Sequence, residues 1–143
     1  MAFEPPKGPV VLFGGGPALG GASPETWEWD GHRWQRVGPE VPGRYNSISA
    51  SLSDGILRFG GWDGKGRVAE TWRYRAGTWT LLPITGPSPR NHSALAADPR
   101  RGRLVLFGGH DGEHVFGDTW EWDGSRWMRI ADEAAELRVD NGH

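Results

Sequence analysis

The six residues TWEWDG stand at 26–31 and again at 119–124, and a divergent copy, TWRYRAG, lies between them at 71–77. FGG occurs at 13–15, 59–61 and 107–109, so successive copies are 46 and 48 residues apart. The Thr-Trp pairs at 26, 71 and 119 keep nearly the same step, 45 and 48. A further Trp follows seven positions after the first each time, at Trp34, Trp79 and Trp127. Two motifs and an internal ruler share one period. A period of this length marks a repeat architecture whose units bury their apolar faces only against one another.

Each unit reads as four short strands. In the third unit they are HSALAA (92–97), RLVLF (103–107), DTWEW (118–122) and SRWMRI (125–130). The second is apolar at consecutive positions, as suits a strand covered on both faces. Asp-Gly at 30–31 and 123–124 signals a tight hairpin, because a type I′ turn needs two residues at positive φ. A turn on those two residues sets Glu28 opposite Arg33 and Trp27 opposite Trp34. It likewise sets Glu121 opposite Arg126 and Trp120 opposite Trp127. The middle unit sets Arg73 opposite Thr78 and moves its turn glycine to Gly77, so its hairpin is expected to be the loosest. Trp27, Trp29 and Trp34 then share one face with Trp72, Trp79, Trp120 and Trp127 as their counterparts. Each large aromatic buries roughly 150–250 Å², more than one small sheet can hide. A neighbouring sheet must therefore cover each face. The glycine pairs Gly14-Gly15, Gly60-Gly61 and Gly108-Gly109 end the second strands where the chain turns sharply or another group approaches the backbone.

Composition narrows the class. The chain has 143 residues, room for one compact domain. Gly is high at 23 and Pro at 11, but nine Trp argue against disorder. A net charge of −2 lacks the basic surface that nucleic-acid binding needs. Cys is absent, so disulfides and thiolate metal sites are excluded. The opening MAFEPPKGP has no cationic flank followed by an apolar stretch, which gives an expectation of a cytoplasmic protein. No apolar run reaches membrane-spanning length, and no membrane partner is expected.

The stretches VVLFGGG…TWEWDGHRW, ILRFGGWDG…TWRYRAGTW and LVLFGGHDG…TWEWDGSRW resemble the kelch repeat: an apolar strand ending in Gly-Gly, an aromatic-bearing strand, and a Trp after a turn. The repeats cover nearly the whole chain. The resemblance implies an all-β propeller with one four-stranded blade per repeat: blade 1 at about 1–38, blade 2 at about 44–83, blade 3 at about 90–130, and a linker and strand-completing tail at 131–143. ADEAAEL (131–137) is expected to form one helical turn. Propellers close with roughly four to eight blades, so three leave two apolar flanks open, and flanks of that kind are interfaces. Aligned on FGG, Met1, Ala2 and Phe3 fall partway along a first strand, and RVDNGH (138–143) matches the start of one. The expectation is a head-to-tail homodimer closing a six-bladed ring, with Arg138, Val139, Asp140, Asn141 and His143 of one copy completing the strand of Met1, Ala2 and Phe3 of the other. The alternative is an excised or engineered half-propeller with self-assembly only.

Candidate ligand-binding residues cluster in two places. The loops after Gly-Gly (16–23, 62–69 and 110–117) vary most between units, and they carry Trp62, Asp63, His110, Asp111 and His114. Trp62 stands outside the repeat pattern, where a ring could stack on a sugar or anchor a peptide. HDGEH offers nitrogen and oxygen ligands, yet GGxDG recurs at 60–64 and 108–112, which makes Asp111 a turn former, and no metal site is assigned. The approach to the first strand carries Arg44, Asn46, Arg90, Asn91, His92, Asn141 and His143, in a ring a polar rim for one mouth of the channel or a set of partners for backbone groups. No nucleophile elbow, phosphate loop or dinucleotide fingerprint is present. A kelch-type copper sugar oxidase needs a Cys cross-linked to Tyr, and with Cys absent that reading is excluded. Neither a catalytic residue nor a cofactor is assigned. The function expected is a non-catalytic binding or scaffold module for a protein, peptide or glycan. The competing class is an enzyme acting on a glycan or small molecule at the channel mouth.

Overall fold

The computed structural model describes residues 2–3, 9–13, 24–52 and 55–132. Among these residues twelve strands form three four-stranded sheets. Sheet I holds β1 (Ala2–Phe3), β2 (Val10–Phe13), β3 (Thr26–Trp29) and β4 (Trp34–Val37). Sheet II holds β5 (Ile48–Leu52), β6 (Gly55–Phe59), β7 (Thr71–Arg75) and β8 (Thr78–Leu81). Sheet III holds β9 (Ala94–Asp98), β10 (Arg103–Phe107), β11 (Thr119–Trp122) and β12 (Trp127–Ala131). In each sheet the strands pair antiparallel in chain order. The fold is all-β. Among the described residues no helix is long and apolar enough to cross a membrane.

The hairpin register departs from the expected one by two residues. Trp34 pairs with Trp29, Gln35 with Glu28 and Arg36 with Trp27. Trp127 likewise pairs with Trp122 and Met128 with Glu121. The cause is Asp30: its Oδ1 accepts the N–H groups of His32 at 2.8 Å and Arg33 at 3.0 Å, and its own N–H donates to the Arg33 carbonyl at 3.3 Å. Asp123 repeats this with Ser125 and Arg126. Aspartate therefore brackets the turn instead of sitting in it, a local side-chain bond that competes with the Asp-Gly I′ geometry. The turn with two positive φ values falls in the middle unit, at Ala76 (51°) and Gly77 (83°). There Arg73 pairs with Thr80 and Arg75 with Thr78, so this hairpin is tight rather than loose. A slip of two keeps the parity of a strand, and the face of every Trp survives.

The sheets stack face to face through two apolar layers. Between sheets I and II lie Val11, Val41, Ile56, Tyr74 and Trp79, with Phe13, Val37 and Trp72 against them. Between sheets II and III lie Leu57, Phe59, Leu104, Leu106, Trp122 and Trp127. First strands neighbour one another, β1 beside β5 and β5 beside β9. The same latch closes both layers. The Trp79 indole N–H donates to Thr26 Oγ1 at 2.9 Å, and the Trp127 indole N–H donates to Thr71 Oγ1 at 3.0 Å. Each ring also meets the Phe that ends β2 or β6 edge-on, Phe13–Trp79 at 4.7 Å and Phe59–Trp127 at 5.6 Å. The bond satisfies an indole that would otherwise be buried without a partner, which is why Thr precedes the repeated Trp.

Among the described residues nothing comparable covers the outer face of sheet I. Trp79 and Trp127 are 7% exposed, but their counterpart Trp34 on the outer face of sheet I is 40% exposed, and Leu12 on the same face is 38% exposed. The glycine pairs behave as their pattern requires. Gly60 and Gly61 take φ of 70° and 104°, and a Cβ on Gly61 would lie 2.8 Å from the Tyr45 carbonyl oxygen. Gly14 and Gly15 lie outside the described residues.

One core position breaks the pattern. Arg58 stands where the other sheets have Leu12 and Leu106, and it is 1% exposed. Its guanidinium lies 5.1–5.5 Å from the ring centres of Phe13, Trp72 and Trp79. It donates to the Pro42 carbonyl at 3.2 Å, while its Nε has no partner among the described residues. Burial, reinforced by Arg44, pushes its pKa down to about 10.

Candidate functional site

The loops that follow the Gly-Gly pairs of sheets II and III lie against each other. In the first, Trp62 and Arg67 form a bridge, and the Asp63 N–H donates to the Gly66 carbonyl at 3.0 Å. In the second, His110 and Val115 form the matching bridge, with Asp111 donating to the His114 carbonyl at 3.1 Å. Asp63 and Asp111 are turn formers. Asp63 Oδ1 accepts from the N–H groups of Lys65 (2.8 Å) and Gly66 (2.9 Å), and Asp111 Oδ1 from those of Glu113 (2.9 Å) and His114 (2.7 Å). The backbone bonds from His114 and Glu113 bring the Asp111 carboxyl down to about 2. Its Oδ1 is committed to the loop.

Each loop is hooked onto the approach to its own first strand. Tyr45 and Trp62 exchange backbone bonds of 2.9 and 2.8 Å, and Asn91 and His110 exchange two of 3.0 Å. The residue after each hook, Asn46 (φ 57°) and His92 (φ 61°), adopts a conformation costly for a side-chain-bearing residue. His92 Nδ1 and His110 Nε2 lie 2.8 Å apart with their rings stacked at 5.0 Å. His114 projects outward and reaches Asp111 Oδ2 at 3.3 Å. Among the described residues, no three His, Cys, Asp or Glu side chains gather to hold a metal.

Arg67, which the sequence did not single out, joins the two loops. Its Nε donates to Asn91 Oδ1 at 2.9 Å, its Nη1 donates to the Asp111 carbonyl at 2.9 Å, and its plane covers Trp62 at 5.2 Å. Trp62 is therefore half-buried, with one face under Arg67. Trp62, Arg67, His92, His110 and His114 are thus carried on or beside the two loops that Arg67 joins.

Arg44 and Arg90, one residue before each hook, have largely buried side chains. Arg90 is 2% exposed and grips Asp118 with two bonds of 2.6 and 3.0 Å, while also donating to Ser88 Oγ and the Gly108 carbonyl. Phe116 stacks on it at 4.1 Å. Arg44 holds Glu70 at 2.5 Å. Both carboxylates also accept an indole N–H, Asp118 from Trp120 at 2.8 Å and Glu70 from Trp72 at 3.3 Å. This Arg–carboxylate–Trp unit ties the approach of the first strand to the third strand of the same sheet. An open groove of about 430 Å³ lies elsewhere, at the outer end of sheet II between Glu70 and the Leu81–Thr85 segment. Arg138, Val139, Asp140, Asn141 and His143 lie outside the described residues, as does Met1, and Ala2 and Phe3 are placed only as strand β1.

No protein-family model matches the chain, and no curated protein matches it either.

Proposed function

We propose that this chain is half of a kelch-type β-propeller that closes into a six-bladed ring with a second copy, head to tail, and serves as a non-catalytic binding or scaffold module. The observation that carries the reading is the pair of unequal flanks. Two internal junctions are built from the same Trp, Thr and Phe positions, and the two outer faces carry the remaining members of that set. The Arg–carboxylate unit extends the argument. Arg44 and Arg90 each precede a first strand, and one further step of 48 residues falls on Arg138. Arg138 to His143 of one copy would lead into the strand begun by Met1, Ala2 and Phe3 of the other, and would bring an arginine toward Glu25, the counterpart of Glu70 and Asp118.

Ligand contact is assigned to the loop surface around Trp62, Arg67 and the His92–His110 pair. A stacking ring edge, a guanidinium and imidazoles suit a glycan or an acidic peptide. A glycan and peptide array probed with the intact chain and with Trp62→Ala tests this. Signal on a defined ligand class, lost with Trp62→Ala at unchanged circular dichroism, supports it. Equal signal from both proteins, or no signal from either, removes the loop surface as the binding site.

A further inference from the structure

The two junctions inside the chain follow one rule. The fourth-strand Trp of one sheet donates its indole N–H to the third-strand Thr of the preceding sheet and sets its ring against the Phe that ends that sheet's second strand. Trp79 does so with Thr26 and Phe13, and Trp127 with Thr71 and Phe59. Each full set is buried at its donor and acceptor: both indoles are 7% exposed, Thr26 1% and Thr71 3%. One Trp and one Thr of the repeat remain. Trp34 lies on the free face of sheet I at 40% exposure. Thr119 and Phe107 pair with each other in the ladder of sheet III, as Thr26 pairs with Phe13 and Thr71 with Phe59. They are half-buried on the opposite end of the stack.

We infer that the third latch is made between copies: Trp34 of one chain donates to Thr119 Oγ1 of a second and packs on its Phe107. This rests on the ring reading above and names the contacts that make it. A single chain cannot satisfy the latch, because Trp34 and Thr119 cap opposite ends of the stack. A head-to-tail pair makes it twice, once at each junction, and both open flanks are covered by a surface already complementary to them. The second copy is favoured as occupant because it presents the same Thr and Phe that the two observed indoles already use.

The symmetry gives a test that a merely structural role of either residue does not pass. Trp34→Phe keeps most of the ring and removes the donor; Thr119→Val keeps the shape and removes the acceptor. Each homodimer loses the latch at both junctions, and each lost bond weakens association by up to about ten-fold, so each variant dissociates on the order of 100-fold more readily. A mixed dimer of the two variants has one junction doubly altered and one junction intact, with Trp34 and Thr119 both native. Mixing the two weakened variants should therefore restore association to within about ten-fold of the unaltered chain, read by sedimentation velocity over a dilution series. Unchanged circular dichroism and melting of the separated chains establish that each variant still folds. Variants that associate like the unaltered chain overturn the latch, and so do weakened variants that show no rescue on mixing. If the unaltered chain itself stays monomeric, the ring reading fails, and the latch fails with it.

Discussion

Removing the Asp118 carboxylate should unfold more of this protein than any single exposed charge. The Arg90 and Asp118 side chains are 2% and 6% exposed, and the bond between them is bidentate. Asp118→Ala leaves a guanidinium buried with, among the described residues, Ser88 and the Gly108 carbonyl as its remaining acceptors, and leaves the Trp120 indole without its carboxylate partner. Breaking a buried pair from one side costs about 3–5 kcal/mol. For a chain of this size that corresponds to a melting temperature lower by roughly 10–20 °C. Burial alone would raise the Asp118 pKa, but the bonds from Arg90 and Trp120 outweigh it and hold the carboxylate below its ordinary range. The assay is urea unfolding followed by Trp fluorescence. Glu40→Ala is the control, since the Arg36–Glu40 pair is 47% and 57% exposed and such pairs contribute about 0–1 kcal/mol. The double replacement Arg90→Met with Asp118→Leu should recover most of the loss, because no charge remains buried. A cost for Asp118→Ala no larger than that of Glu40→Ala would refute the assignment of this pair as the tie between first and third strands.

Two further outcomes follow from the same reasoning. Arg58→Leu should stabilise the chain by about 1–2 kcal/mol, since it removes a buried charge with an unpartnered Nε and installs the residue found at positions 12 and 106; a lower melting temperature would show that the three surrounding rings hold the guanidinium more strongly than its burial costs. The folded-state pKa of Asp111 is depressed from 3.8 to about 2, so its contribution is present above pH 4 and is lost as pH falls through that window. Asp111→Asn, which keeps the turn acceptor, should flatten the pH dependence of stability between about 4 and 2, and an unchanged slope would contradict the assignment.

The strands and their stacking were legible because period and alternation write them directly into the chain. RLVLF is β10 to the residue, and the Trp faces follow from parity alone. The hairpin register was not legible. Asp-Gly carries a I′ preference, but the Asp30 and Asp123 side chains bond to the backbone beyond the turn, and the pairing moves by two residues. The site was partly legible. Asp111 as a turn former follows from the recurrence of GGxDG, and the loop hooks repeat with it. Arg67 gave no signal, because its partners Asn91 and Asp111 are 24 and 44 residues away and meet it only when sheets II and III stack. The Thr of each Thr-Trp pair was visible as a repeat, but its role as indole acceptor belongs to the neighbouring sheet. Arg58 could have been noticed as the one charged residue in a row otherwise held by leucine.

Sedimentation equilibrium of the unaltered chain at micromolar concentration tests the central claim most directly. The account requires a species of twice the 15.7 kDa chain mass, persisting on dilution as an obligate interface does. A stable particle of one chain mass, with Trp34 still open to a collisional quencher, would contradict it.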